Sequence, residues 1–325
     1  MQRKRAVVFA YSSIGYECLA ELLAENVEIP AVFTHQDDPE EEKWFRSVRE
    51  LAEENRLPLY SPARLKEDEV RLVRELRPDL IFSFSYRTVI PLPILESASL
   101  GAFNIHGALL PRYRGRACVN WAVIHGERET GVTLHHMTAR VDEGRIVDQE
   151  PVQIGEDDTA HDVFKKMIPA ARAMLHRSLP AILEGAAHGW EQDESLATYF
   201  GRRRPEDGQI DWSKPARDVH NLVRAVTHPF PGAFTYLDGR KLFIWRTRLT
   251  AQAQPEGECI TPGVVVSSSP LKVSTGTELI EIQQAQWSDE KESIEKLKEK
   301  LREDFREKLK GDELRLPVGV TLTGP

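Results

Sequence analysis

Cysteine is scarce in this chain: three residues (Cys18, Cys118 and Cys259) are scattered over 325 positions. An odd set without Cys-x-x-Cys spacing gives neither a disulfide framework nor a thiolate zinc site, and it fits a reducing, cytoplasmic setting. Long hydrophobic runs are also missing. The opening MQRKRAVVFAYSS is basic at first, but its apolar stretch breaks at Tyr11-Ser12-Ser13, too early for a signal peptide or a membrane span. It reads as a first strand, and no membrane partner is expected. No Gly-x-Gly-x-x-Gly follows that strand, where only Gly15 stands, so the dinucleotide fingerprint is missing and an NAD oxidoreductase is disfavoured. Cationic excess is lacking too: 43 Lys and Arg face 51 Asp and Glu, for a net charge of −8, which argues against a nucleic-acid partner. Among ten histidines there is no His-Glu-x-x-His pair, and the neighbours His135 and His136 point to opposite faces of a strand. No metal is expected; stoichiometric zinc or iron in the purified protein would overturn this.

What is present is an alternation of strand and helix patterns. AVVFA (6–10), IPAVFTH (29–35), LPLYSP (57–62) and DLIFSFSY (79–86) read as strands. CLAELLAEN (18–26), WFRSVRELAEENR (44–56) and KEDEVRLVRELR (66–77) separate them as helices. This order predicts a parallel sheet covered by helices on both faces. GVTLHHM (131–137) is a further strand, with Thr133 and His135 on one face and Leu134 and His136 on the other. A helix from about Thr159 to Glu184 closes the first domain, and Pro169 and Pro180 should bend or divide it. After GRRRPEDGQIDWSKPA (201–216), short strands with Gly, Pro and Asp turns suggest a small barrel. The expected domains are 1–200, 201–287 and 288–325, the last a highly charged helix over 288–311 with an apolar stripe at Ile294, Leu297, Leu301, Phe305 and Leu309. Packing on the barrel is the main expectation for this helix, and a homodimer contact the second.

The chemistry concentrates in FNIHGALLPRYRGR (103–116) and ARVDEG (139–144). Asn104 and His106 are two apart at the end of an apolar run, so in a strand they share a face while Ile105 points into a core. A carboxamide beside an imidazole, backed by Asp142 from a neighbouring loop, suits acyl transfer. The Asn donates to a developing oxyanion, the His moves protons, and the Asp orients the ring and raises its basicity.

These residues resemble the 10-formyltetrahydrofolate-dependent formyltransferases, which carry Asn-x-His, a Leu-Leu-Pro-x-x-Arg-Gly loop and an Asp in a later turn. The likeness spans roughly residues 4–285. It is strongest to members acting on nucleotide-linked 4-amino sugars, in particular the formyltransferase half of the bifunctional enzyme that modifies UDP-4-amino-4-deoxy-L-arabinose for lipid A. VFTHQDDP (32–39), LIFSFSYRTVI (80–90), LPRYRGRA (110–117) and FGRRRPEDG (200–208) carry it. Ala108 and Cys118 depart from the pattern, which has Ser and Pro there. The second half of the bifunctional enzyme, an oxidative decarboxylase, has no counterpart in these residues.

The resemblance implies an α/β fold: an N-terminal Rossmann-like, mostly parallel domain followed by a smaller OB-like barrel. It implies 10-formyltetrahydrofolate as formyl donor, held by Thr88, Val89 and Ile90, by Thr138, Ala139, Arg140, Val141 and Asp142, and by Arg116. It implies a nucleotide-sugar acceptor. Arg forks beside an aromatic suit a diphosphate and a base or sugar, which singles out Tyr113 and Arg114 in the loop with Arg112 and Arg116, and Arg202, Arg203 and Arg204 at the domain junction. Asn221 and Arg224 face either that junction or the interior. The alternative within the family is a methionyl-tRNA formyltransferase, against which the acidic charge counts. A catalytically dead folate-binding module is disfavoured by the intact Asn104, His106 and Asp142.

Overall fold

The first strand, β1 (Arg5–Ala10), buries every side chain from Ala6 to Ala10, which is why its sequence is a continuous apolar run with no polar alternation. In this computed structural model, which describes residues 3–36, 44–253, 261–288 and 318–323, β1 lies inside a seven-stranded sheet. After it come α1 (Ser12–Ala24), β2 (Glu28–Phe33), α2 (Val48–Glu54), β3 (Leu59–Tyr60), α3 (Glu67–Leu76), β4 (Leu80–Phe84), α4 (Leu92–Leu95) and β5 (Gly101–His106). The chain continues through β6 (Arg114–Gly115), α5 (Cys118–Ile124), β7 (Glu129–His136), β8 (Ile146–Gln153), α6 (Ala160–Leu183) and β9 (Tyr199–Phe200).

The sheet order is β3-β2-β1-β4-β5-β7-β8. The strands from β3 to β5 run parallel, and β7 and β8 are antiparallel additions at one edge. After β3 the chain returns to the other side of β1. The strand order therefore reverses between β1 and β4, the kind of switch point beside which open parallel sheets bind ligands. Under one face, Val7, Phe9, Ala31, Phe33 and Ile81 pack against Val70 and Val73 of α3.

Two elements differ from expectation. The helix expected over 44–56 is confined to Val48–Glu54, because Ser47 caps it by accepting the Glu50 N–H, and the residues before the cap are engaged elsewhere. Trp44 meets Phe164, and Phe45 meets Tyr11. In α6, Pro169 and Pro180 do not divide the helix, which runs from Ala160 to Leu183. An interior proline costs roughly 3 kcal/mol. Burying the stripe Val163, Met167, Met174, Leu175, Leu179 and Ile182 outweighs that at about 1.5–3 kcal/mol per large apolar side chain.

The chain divides into two compact units, one of residues 1–122, 127–156 and 162–202, the other of 123–126, 157–161 and 203 onward. The second contains α7 (Ala216–Val226), β10 (Ala233–Leu237), β11 (Arg240–Ala253), β12 (Val265–Ser268), β13 (Leu271–Ser274) and β14 (Glu278–Trp287). Its five strands are antiparallel in the order β10-β11-β14-β13-β12. Residues 318–323 tie both edges together: Thr323 pairs with Tyr236 of β10, and Thr321 with Val264 beside β12. That short segment closes the sheet into the expected barrel and leaves neither edge open. The charged helix expected over 288–311 falls, apart from Ser288, outside the described residues. Among the described residues no helix is long and apolar enough to cross a membrane.

Candidate active site

The site grows from the carboxyl end of β5. Antiparallel pairing places Asn104 opposite His135 and His106 opposite Thr133, so these side chains share one face. Ile105, buried on the other face, anchors the strand in the core. His106 is itself buried, with Nδ1 3.5 Å from Oδ2 of Asp142 and Nε2 donating to the carbonyl oxygen of Tyr113 at 2.7 Å. Both ring nitrogens thus face acceptors. On the adjoining pair, Nδ2 of Asn104 lies 3.0 Å from Nε2 of His135, and Asp142 Oδ1 is 3.6 Å from the same nitrogen.

Asp142 is held from several sides. It sits in the turn after β7 with φ +60, a left-handed conformation that Asp tolerates better than most residues. Two residues on, Gly144 passes so close to the main chain of His136 that a Cβ would strike its carbonyl oxygen. The N–H of Gly115 donates to Asp142 Oδ2 at 2.9 Å. Gln192 donates from Nε2 to the carbonyls of Asp142 (2.8 Å) and Gly144 (2.7 Å). Burial alone would raise the Asp142 carboxyl, but the His106 charge and the Gly115 amide hold it well below the usual carboxylate range. It remains an anion beside His106.

Thr133 and Gln149 shape the loop after β5. The Thr133 hydroxyl accepts from the Leu110 N–H at 3.1 Å and donates to the Ala108 carbonyl at 2.6 Å, while Gln149 donates to the Leu110 carbonyl at 2.9 Å. The Leu110-Pro111 peptide is cis.

Asn104, His106 and Asp142 therefore come together from segments far apart in sequence. Other expected residues divide into two sets. Thr88, Val89 and Ile90 follow β4, the neighbour of β5; Val89 is exposed and Ile90 buried. Thr138, Ala139, Arg140 and Val141 form the exposed approach to Asp142. Arg116 is exposed and donates to the Arg87 carbonyl at 3.0 Å. Arg202 and Arg204 are exposed as well, whereas Arg203 is half-buried and donates to the Asp207 carbonyl at 2.8 Å.

The geometry departs from expectation at Tyr113 and Arg114. Arg114 is wholly buried; its guanidinium donates to Gln192, Glu194 and Tyr199. Its fork is consumed by the protein and is not open to a diphosphate. Tyr113 is buried too, stacked on Phe200 at 5.1 Å, with its hydroxyl on Glu127. Asn221 and Arg224 are interior residues of the second unit, where Arg224 donates to Asn221 and to the Asp158 carbonyl. Sequence reasoning missed His135 and Gln192 as parts of the site. The alternation of Thr133 and His135 marked a shared face, but their register against β5 was not readable; nothing local marks Gln192. Among the described residues, the one grouping with metal-ligand spacing is Glu21, Glu25 and His176, which shares no residue with the site and in which Glu21 already accepts from Arg172.

A buried imidazole between a carboxylate and a carbonyl, next to a carboxamide donor at a strand end, is equipped to move a proton while an oxyanion is stabilised. Residues 4–179 match the family model described as formyl transferase, and residues 203–298 match the formyl transferase C-terminal domain. The chain belongs to the formyltransferase family. Similar solved structures include the N-formyltransferase of Helicobacter canadensis, solved with folinic acid and dTDP-3-aminofucose, at 20% identity and TM-score 0.67 over 86% of this chain and 99% of that one. WlaRD, a sugar 3N-formyltransferase solved in the presence of dTDP and 5-N-formyl-THF, is 21% identical with TM-score 0.64, covering 89% of this chain and 99% of its own. HypX of Aquifex aeolicus, in complex with tetrahydrofolic acid, is 17% identical with TM-score 0.60 over 88% of this formyltransferase but 45% of HypX.

Proposed function

We propose that this formyltransferase moves the formyl group of 10-formyltetrahydrofolate to the amine of a nucleotide-linked amino sugar, with UDP-4-amino-4-deoxy-L-arabinose as the first candidate. The observation that carries the reading is the convergence of Asn104, His106 and Asp142 at the carboxyl end of β5. The unprotonated amine attacks the formyl carbon, and the carbonyl electron pair moves onto oxygen. Asn104 donates to that oxyanion, an interaction worth about 3–4 kcal/mol by analogy with single oxyanion-hole donors. His106 relays the proton lost by the attacking nitrogen to N10 of the folate, and the oxyanion collapses with N10 as leaving group. Asp142 holds the ring and stabilises its charged form.

The donor sits against the loops 88–90 and 138–142 and Arg116, where main-chain groups outside the sheet ladders are suited to read a pterin edge. Arg112 and Arg202 are exposed cations of the first unit that suit the diphosphate of the acceptor. Two similar structures hold dTDP or a dTDP-amino sugar together with a formylated folate, which supports the substrate class. The test is a formyl-transfer assay with 10-formyltetrahydrofolate and UDP-4-amino-arabinose, dTDP-3-amino and dTDP-4-amino sugars, GDP-perosamine and methionyl-tRNA. Turnover on a nucleotide sugar supports the proposal, and turnover on tRNA alone replaces it with the tRNA reading.

A further inference from the structure

The contact between Asn104 and His135 assigns His135 a part in the reaction. Nδ1 of His135 is 2.8 Å from the carbonyl oxygen of His136, which can only accept, so Nδ1 carries a proton. In the neutral ring the lone pair then lies on Nε2, 3.0 Å from Nδ2 of Asn104. Asp142 Oδ1, at 3.6 Å from Nε2, is beyond hydrogen-bond reach, which leaves Asn104 as the nearer partner. His135 is 2% exposed, and its donor bond to the main chain fixes which nitrogen faces Asn104.

A carboxamide is planar, with an acceptor oxygen on one side and a two-proton nitrogen on the other. Nothing in its own shape decides which side faces a substrate. An unprotonated Nε2 decides it, because it attracts the amide nitrogen and repels the amide oxygen. One N–H of Asn104 is then spent on His135, and the second is held in a fixed direction. We propose that His135 is a positioning residue that fixes the amide orientation of Asn104, so that a single N–H is presented to the oxyanion. Its chemical consequence rests on the formyl-transfer reading above, whereas the contact itself does not. Without His135 the carboxamide loses the contact that selects its nitrogen and holds it in one direction, and orientations that offer an oxygen to a negative charge become accessible. The loss falls on the transition state and spares ground-state binding.

The test is a double-mutant cycle on kcat and KM with 10-formyltetrahydrofolate and the best acceptor from the panel. His135→Ala should lower kcat by about 10- to 100-fold with both KM values within about twofold. In an Asn104→Ala background the same change should add less than about twofold. His135→Gln, whose amide oxygen can accept from Asn104, should recover most of the rate. Equal losses in both backgrounds, or a rise in KM in place of the fall in kcat, would overturn the proposal. Nitrogen-15 NMR of the histidine rings in the wild-type protein, assigned with His135→Gln, tests the contact without any acceptor. A proton on Nδ1 with a bare Nε2 supports the proposal; a proton on Nε2 overturns it. A wild-type protein silent with every acceptor would sink the formyl-transfer reading, and the tautomer would then decide the contact alone.

Discussion

Nδ1 of His106 lies 3.5 Å from Oδ2 of Asp142 while its Nε2 lies 2.7 Å from the carbonyl of Tyr113, so the ring is bracketed by two acceptors. Such a bracket fixes the orientation of the ring beside Asn104. His106→Ala removes the proton relay and should lower kcat by about 100- to 10,000-fold. Asp142→Asn should cost a similar order, and the double variant little more than the worse single one, since the residues act as a unit. Steady-state kinetics with 10-formyltetrahydrofolate check this. Turnover close to wild type in His106→Ala would sink the mechanism.

Arg114 offers a sharper contrast, because sequence and geometry give it different jobs. As a buried fork on Gln192, Glu194 and Tyr199, it ties the 192–200 segment to the loop whose next residue, Gly115, bonds Asp142. Arg114→Ala leaves Gln192 short of a partner and should destabilise the fold by about 2 kcal/mol. Urea denaturation would read this as a lower midpoint at unchanged slope, with KM for the nucleotide sugar unaltered. A large rise in KM at full stability would restore the substrate role expected from sequence.

The contrast shows what a sequence can and cannot disclose here. The strands were legible because Ala6–Ala10 and Leu80–Phe84 are buried on both faces and so read as unbroken apolar runs. Asn104 and His106 were legible because a period of two fixes a shared face regardless of what lies beside the strand. Arg114 was not, since an Arg between Tyr113 and Gly115 looks the same whether its guanidinium meets solvent or Gln192, some eighty residues on. His135 failed for a related reason: its face was predicted, but register against β5 depends on pairing that leaves no local trace. The closing of the barrel by 318–323 depends on a few main-chain bonds, which no side-chain pattern announces.

Cys118 stands where the family pattern has Pro, and its chemistry is measurable. Burial pushes its thiol up to about 12, and the negative charge of Asp142 adds to the shift. At about pH 8 the thiol is then held in its protonated form, and the thiolate is the form that alkylates. Peptide mapping after iodoacetamide should find Cys118 labelled orders of magnitude more slowly in the native protein than in urea. Asp142→Asn removes a charge that opposes ionisation, so labelling should accelerate. Fast labelling of the wild type would show that the thiol is open to solvent.

His35 sets a pH limit on the fold itself. Burial, with the charge of Arg87, pulls its pKa down to about 4, and its Nε2 accepts the Arg87 N–H at 3.0 Å, a bond that needs the bare nitrogen. The ring also stacks on Tyr86 at 4.3 Å. In the unfolded chain a histidine titrates near about 6.5. Between that value and about 4 the unfolded state therefore binds a proton that the native state refuses, and stability falls as the pH drops through this window. Below about 4 both states are protonated and the penalty from this residue is fully developed. His35→Gln keeps an acceptor for the Arg87 N–H but cannot titrate. Urea midpoints taken at about pH 7 and about pH 4.5 should therefore differ less in His35→Gln than in the wild type. Equal differences in the two proteins would mean that His35 takes up its proton in the folded state and that the Arg87 contact does not hold its Nε2 bare.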